Sequence, residues 1–267
     1  MLNTISFIGA GKVGTALAVL LSRKGYKVTG VYDKVDTAAG KLAAQVKGCR
    51  TADTAQAAAD SAKIIFITTP DTDIPTVAAK VKWQAGQSVI HCSGADSTGI
   101  LINAAKAGAQ TAVFHPLQTF AGTQEAIENI PGSTFAIEAE EPLLATLKKM
   151  AEDLGGSWIT LKAEDKAAYH AAAVFASNYM VTLVKMATDL WQTFSIPTDQ
   201  ATKALIPLIR GTLHNIETIG IPDCLTGPIA RGDAGTISKH LKTIKEKTPA
   251  LLFPYKELGR QTIPIAA

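Results

Sequence analysis

The sequence predicts a doubly wound parallel α/β sheet followed by an all-helical second domain. Three observations carry this. Short β-rich runs alternate with helical stretches from Thr4 to about Leu161, the pattern of successive βαβ units. One run, Lys63 to Thr68 (KIIFIT), is almost wholly apolar, as suits a strand covered on both faces. After about Lys162 no β-alternation recurs and long apolar helical stretches follow. At about 150 residues per domain, 267 residues make one or two domains; the expected pair is 1–161 and 162–267.

The elements follow in order. Thr4 to Ile8 (TISFI) reads as a strand, and Lys12 to Lys24 as a helix that Gly25 is placed to end. Lys27 to Tyr32 is a second strand and Thr37 to Val46 a helix. After the apolar strand come a helix from Ile74 to Val81, a strand Ser88 to Cys92, a helix Thr98 to Ala107 and a strand Thr111 to Phe114. Ser133 to Ile137, a helix after Pro142, and Trp158 to Leu161 complete the sheet. Beyond it, residues 164–195 read as one long helix, with further helices at 198–219 and 233–247 and a short tail from Lys256. Pro197, Pro207, Pro222, Pro228 and Pro254 punctuate this half.

Composition removes several function classes. Hydrophobic residues are 47% of the chain, ample for a core, so disorder is excluded. The charged fraction of 18% is below the usual ~25%, which implies extensive buried surface, including a subunit interface. A net charge of +3, evenly spread, argues against nucleic acid as a partner. Cys49, Cys92 and Cys224 are far apart, without CxxC spacing. They predict three buried thiols in a reducing, cytoplasmic setting and neither a metal site nor a disulfide framework. No charged, cleavable leader precedes the first apolar run. Ala167 to Val184 holds 18 residues free of Asp, Glu, Lys and Arg, but Tyr169, His170, Ser177 and Asn178 would be costly in lipid; a buried helix, not a membrane span, is expected.

The first chemical signature is Gly9-Ala10-Gly11-Lys12-Val13-Gly14, a GxGxxG that follows a strand and opens a helix, the context the motif requires. Gly9 permits the tight turn, Gly11 lets a pyrophosphate approach the backbone, and Gly14 lets helix and strand pack closely. The helix N-terminus then offers free amide hydrogens to phosphates. This defines a Rossmann-type domain for NAD(P)(H). Asp33 lies 19 residues after Gly14 and can hold both ribose hydroxyls, which favours NAD over NADP. Lys34 beside it is a base that would accommodate a phosphate if Asp33 turned away.

Other polar or turn residues gather at strand ends: Thr68, Thr69 and Pro70 after one strand, Ser93 and Gly94 after the next, His115 and Pro116 after the third. In open α/β sheets ligands bind at that edge. On the long helix, Lys166, His170, Ser177, Asn178 and Lys185 share a stripe about 120° wide, with His170 and Asn178 roughly 12 Å apart along the axis. Such a stripe serves either a hydrogen-bonded helix interface or a site in which His170 and Asn178 face nicotinamide and substrate. Leu225 to Asp233 (LTGPIARGD) forms a tight loop whose Asp233 caps the next helix. Arg231 there either pairs with an acid or clamps a substrate carboxylate through its planar fork. His240 reads as structural.

HPLQTF (His115 to Phe120), YHAAAVFASNY (Tyr169 to Tyr179) and LTGPIARGD (Leu225 to Asp233) together resemble a family of NAD(P)-dependent oxidoreductases that join a Rossmann-like domain to a helical domain of formerly unknown function. Distant relatives are pyrroline-5-carboxylate reductase, the deazaflavin-dependent NADP reductases and the β-hydroxyacid dehydrogenases. The resemblance implies hydride transfer at a site between the domains and a homodimer formed through the helical domain. The chain departs from these relatives at two points. Val174 stands four residues before Asn178, where β-hydroxyacid dehydrogenases have a catalytic lysine, and Asp33-Lys34 replaces the Ser/Arg pair of NADP-type members.

The expected function is hydride transfer between NAD(P)(H) and a small carbonyl or imine substrate, carboxylate-bearing if Arg231 clamps it. His170 is the candidate general acid/base, because its ordinary pKa lies near operating pH. Asn178 or Ser93 would orient the substrate. A dinucleotide-binding sensor or scaffold without turnover is the alternative. A hydrolase or transferase using Ser93 and His115 lacks the GxSxG elbow, since Ser93 sits in CSG.

Overall fold

The computed structural model describes residues 4–266; Met1 to Asn3 and Ala267, at the outer ends of the two expected domains, lie outside the described residues. The chain divides into two compact units, Met1–Val174 and Phe175–Ala267.

The first unit alternates β1 (Thr4–Ile8), α1 (Lys12–Arg23), β2 (Lys27–Tyr32), α2 (Asp36–Gln45), β3 (Arg50–Thr51), α3 (Ala55–Asp60), β4 (Ile64–Ile67), α4 (Ile74–Lys80), β5 (Ser88–His91), α5 (Ile102–Lys106), β6 (Gln110–Pro116), α6 (Thr123–Asn129), β7 (Thr134–Ala139), α7 (Leu143–Asp153) and β8 (Ser157–Thr160). The strands form one sheet in the order β3-β2-β1-β4-β5-β6-β7-β8. Every pair is parallel except β6 with β7. The doubly wound sheet is thus parallel but for one pair. The Leu117 N–H donates to the Thr134 carbonyl at 2.9 Å, so the chain re-enters the sheet at the edge it has just left and must run back.

Helices cover both faces. Phe7, Phe66, Phe114 and Phe135 point to one side, packed with Leu17 and Leu21 of α1, Ile127 of α6 and Leu147 of α7. Their rings form a row, stacked at 5.2 Å between Phe7 and Phe66 and at 4.5 Å between Phe114 and Phe135. Ile8, Ile65, Ile67 and Val89 point to the other side, against Ala58, Ala59, Ile74, Ala78 and Leu101. Alternate residues of β4 thus face opposite cores, which is why its sequence is an unbroken apolar run.

The sequence pattern contains no sign of β3, α3 or α6. β3 has two residues and α3 six, too few to display a period. α3 relies on a cap instead: the Thr54 side chain accepts the Ala57 N–H at 3.0 Å. β6 runs on through His115 and Pro116, which the sequence places just beyond the strand.

The expected single helix at 164–195 is two. α8 (Lys166–Ala176) is separated from α9 (Asn178–Gln192) at Ser177, whose backbone leaves helical geometry at φ −115° and ψ −68°. The surrounding apolar pattern does not mark this break, and Ser is a weak helix former. The polar stripe therefore does not run continuously from Lys166 to Lys185. The first compact unit also continues past 161, because Lys166, Tyr169 and His170 of α8 contact the ends of β5 and β6.

The second unit contains α9, α10 (Thr198–Thr218), α11 (Ala234–Lys247) and α12 (Leu252–Ala266). The expected tail from Lys256 is therefore helical. Pro254 does not interrupt α12 because it occupies the first turn, where a missing N–H costs nothing. Pro207 lies inside α10. Asp233 caps α11, accepting the Thr236 N–H at 2.9 Å, and His240 meets the Tyr255 hydroxyl at 2.7 Å. All three cysteines are free and half-buried rather than fully buried. Among the described residues no helix is long and apolar enough to cross a membrane.

Candidate active site

The glycine loop between β1 and α1 has three glycines with three different geometries. Gly9 sits at φ +111°, and a Cβ there would lie 2.6 Å from the Thr68 carbonyl carbon. A Cβ on Gly14 would lie 2.4 Å from the Gly9 carbonyl oxygen, so this glycine lets α1 close on the loop. A Cβ on Gly11 would meet nothing within 4 Å. Nothing in the fold demands glycine at Gly11; a ligand approaching the backbone does. The Thr68 hydroxyl donates to the Gly9 carbonyl at 2.7 Å, tying the loop to the end of β4.

Gly11 caps α1 without a side chain, and the first turn carries no acid. The N–H groups of Lys12 and Val13 and the positive helix end are therefore open to an anion, with no acidic side chain in the first turn to compete. The Ala10 N–H is already committed: it donates to Asp33 Oδ2 at 2.6 Å. Asp33 Oδ1 accepts the Val35 N–H at 2.8 Å. The carboxylate is thus held at both oxygens, and each keeps a lone pair for a hydroxyl donor.

These residues border a cleft of about 450 Å³ lined by Gly9, Gly11, Asp33, Lys34, Thr68, Thr69, Pro70 and Asp73, with Val77 and Val81 as an apolar wall. The Lys34 Nζ lies 3.4 Å from Asp73 Oδ2. The Thr69 hydroxyl is buried and has no partner among the described residues. An open glycine, free helix N–H groups, an anchored carboxylate, an unpaired hydroxyl and an apolar wall fit a dinucleotide.

Farther along the same sheet edge, four elements bring ionisable side chains together. Gly94 lies directly under two imidazoles: a Cβ on it would be 2.6 Å from His170 Cδ2 and 2.9 Å from His115 Nε2. The two ring centroids are 6.5 Å apart. His115 Nδ1 lies 2.8 Å from the Tyr169 hydroxyl. Burial pushes the Tyr169 phenol up to about 12, so it stays a neutral donor or acceptor. Burial, the Lys166 ammonium and the neighbouring His170 and His91 push His115 down to about 4.

Beneath them, His91 accepts the Ser93 N–H at Nδ1 (3.1 Å), so its Nε2 carries the proton and donates to the Ser97 carbonyl, also at 3.1 Å. Burial lowers its pKa as well. Ser93 is 1% exposed. Its Oγ lies 2.8 Å from Asp71 Oδ2 and 3.0 Å from Asp96 Oδ2, and it accepts the Asp96 N–H. No hydrogen bond joins Ser93 to His115 among the described residues. Ser93 thus ties Asp71 and Asp96 to the loop that follows β5.

Sequence reasoning singled out His170, His115, Ser93 and Gly94, and the fold brings these four together. It did not single out His91, Tyr169 or Glu138, and it placed Lys166 only in the stripe. Lys166, one helical turn before His170 on the same face, was the available signal. Asn178, the first residue of α9, and Arg231 lie in the second unit, where both are exposed. Among the described residues no carboxylate lies within 4.0 Å of Arg231, and its charge acts on Asp233 two residues away.

Family comparison matches residues 2–116 to the Rossmann-like domain and residues 133–262 to the domain of unknown function DUF2520. The first match covers the sheet-forming half of the chain and the second its later half. Among solved structures it is similar to a Bacteroides fragilis protein provisionally designated an NADP oxidoreductase, at 25% identity and TM-score 0.76, covering 98% of each chain. A Thermotoga maritima protein is similar at 24% identity and TM-score 0.79, again over 98% of each. A reductive aminase from Aspergillus terreus, solved with NADPH and ethyl-5-oxohexanoate, shares the fold at 15% identity and TM-score 0.73, over 99% of this chain and 94% of its own. Comparison with curated proteins gives no match.

The depressed histidines have a consequence for stability. In the unfolded chain His115 and His91 take up protons near pH 6.5, whereas folded His115 resists them until about pH 4. Their contribution is present above pH 6.5 and is lost as the pH falls toward 4. The urea midpoint should fall across that window, and His115→Gln should reduce the fall. An identical pH profile in the variant would show that His115 is not a titrating group.

Proposed function

We propose that the chain is an NAD(P)(H)-dependent oxidoreductase acting on a small carbonyl or imine substrate, with His170 moving the substrate's proton. The observation that carries this is the convergence of His170 and His115 on Gly94, at the sheet edge that also bears the glycine loop. Gly9, Ala10, Gly11, Lys12, Val13, Gly14, Asp33, Thr68, Thr69 and Pro70 would hold the dinucleotide. When bound, its nicotinamide supplies or accepts the hydride at a substrate sp² carbon.

His170 is half-buried and stands on an edge that no side chain at Gly94 obstructs. Its imidazole donates a proton to the heteroatom in reduction and accepts it back in oxidation. His115, held low and engaged with Tyr169, is the neutral neighbour that fixes the floor of the site. Asn178 is the proposed orienting group for the substrate, and Arg231, unpaired in its own unit, the proposed anchor for its carboxylate. Hydride transfer should be followed with NADH against a panel of keto acids and cyclic imines. His170→Ala should lower the rate about 10²–10⁴-fold with dinucleotide affinity nearly unchanged. Undiminished turnover would remove His170 from the role. Binding without turnover on any panel member would leave a dinucleotide sensor.

NAD is the proposed preference. Asp33 is anchored at both oxygens, so it cannot swing away cheaply, and its charge repels a 2′-phosphate. Lys34, held near Asp73, is the base that a phosphate would have to recruit. Asp33→Ala should weaken NADH and narrow its lead over NADPH. A wild-type preference for NADPH would contradict this.

A homodimer through the helical unit is the proposed assembly, in a cytoplasmic setting that suits three free thiols. Phe253 is 78% and Val181 71% exposed, and Phe175, Leu208 and Ile221 are also open to solvent. Light scattering should give twice the 28.0 kDa of the chain; a monomer would refute the assembly.

A further inference from the structure

Lys166 is the residue that the proposed chemistry leaves unexplained. It is 1% exposed, among the largest fully buried side chains of the molecule. Its Nζ makes one hydrogen bond, to the Ser93 carbonyl at 3.2 Å. Among the described residues no carboxylate lies within ion-pair distance of it. A lysine buried this way is costly, and a Met or Leu of similar length would fill the space without desolvating a charge. Packing therefore does not account for lysine here.

Its position does. Lys166, Tyr169 and His170 are three side chains of α8, and each lands on a different part of the sheet edge. Lys166 grips the carbonyl of Ser93, His170 lies on Gly94 in the next residue, and Tyr169 meets His115 at the end of β6. The peptide that Lys166 holds is the one over which both imidazoles stand. The charged and titratable groups around it come from every neighbouring strand end. Burial lowers the Lys166 pKa, and Glu138 of β7, then Asp96 and Cys92 beyond β5 and Asp71 beyond β4, act against that lowering. His115 is faced by Tyr169, His170 and Lys166 from α8 and by His91 from β5. One Glu138 oxygen is taken by Thr98, through its N–H at 3.1 Å and its hydroxyl at 2.7 Å. The other is buried without a partner among the described residues, so it leaves negative charge facing inward. That field favours an ammonium at Lys166 against the cost of burial.

We propose that Lys166 is a positioning residue of the reductase site: its buried side chain clamps the Ser93–Gly94 peptide beneath His170 and His115. This rests on the reductase reading for its purpose, but not for its test. A positive charge at Lys166 opposes a second one on His115. Together with burial, the larger cause, it keeps His115 a neutral hydrogen-bonding ring beside His170.

The test is an NMR titration of the full chain with isotope-labelled histidine, for the wild type, Lys166→Met and Lys166→Arg. Wild-type His115 should titrate near pH 4. In Lys166→Met its midpoint should rise by about one pH unit or more, and Lys166→Arg should keep it low. With substrate, Lys166→Met should lower kcat and shift the acid limb of its pH profile while leaving the KM for NADH in place. A folded Lys166→Met with an unmoved His115 midpoint would overturn the proposal. So would a wild-type His115 that is protonated at pH 6, whether or not the Met variant folds. The titration needs no substrate, so its failure is distinct from failure of the reductase reading.

Discussion

The register of four parallel strands determines where the chemistry stands. Ile8 pairs with Ile67, Ile67 with His91 and His91 with Val113. The loops that follow β1, β4 and β5 therefore leave the sheet at one level, and β6 carries His115 two residues farther along the same edge. A slip of one residue in any pair would reverse which side chains enter the core. The apolar alternation of β4, with Phe66 in one core and Ile67 in the other, resists that slip. The glycine loop, Thr68 and the Ser93–Gly94 peptide are thus brought together by core packing, before any polar contact forms.

On this edge the polar groups are satisfied in a connected order. Thr68 secures Gly9, and Asp33 secures Ala10. Ser93 gathers Asp71 and Asp96, while His91 steadies the same loop from below. Helix α8 is then held down by Lys166 and Tyr169, which presents His170 over the one residue of the loop with no side chain. Buried polar networks of this kind are costly unless nearly complete. Among the described residues four buried side-chain oxygens lack a partner: the Thr69 hydroxyl at the cleft, one Glu138 oxygen, and the Ser6 and Thr248 hydroxyls, which lie outside the proposed site.

The sheet was legible because its signals are local. β1, β2, β4 and β5 are marked by apolar runs bounded by Gly, Pro or charge, and GxGxxG fixed the first turn. β3, α3 and α6 were not legible: β3 has two residues, α3 (AQAAAD) has no large apolar residue, and α6 (TQEAIEN) has one. The break at Ser177 was hidden for the opposite reason: the flanking residues are uniformly apolar or small, so periodicity continues across it. Of the site, Gly94, His115 and His170 were visible as special residues at strand ends or on a polar stripe. Their convergence was not, because it depends on contacts between residues far apart in sequence. Glu138 reads as an ordinary alternating strand residue, and its buried carboxylate emerges only once β7 lies antiparallel to β6.

The central claim is that the loop of Gly9, Gly11 and Gly14 holds a nicotinamide dinucleotide at this edge. Gly11 tests it most cleanly, because its substitution leaves the fold without a clash. Calorimetric titration of the wild type and Gly11→Ala with NADH is the direct measurement. The account predicts saturable binding to the wild type, and strong loss of it in a variant whose thermal unfolding is unchanged. No binding to the wild type, or equal binding to both proteins, would contradict it.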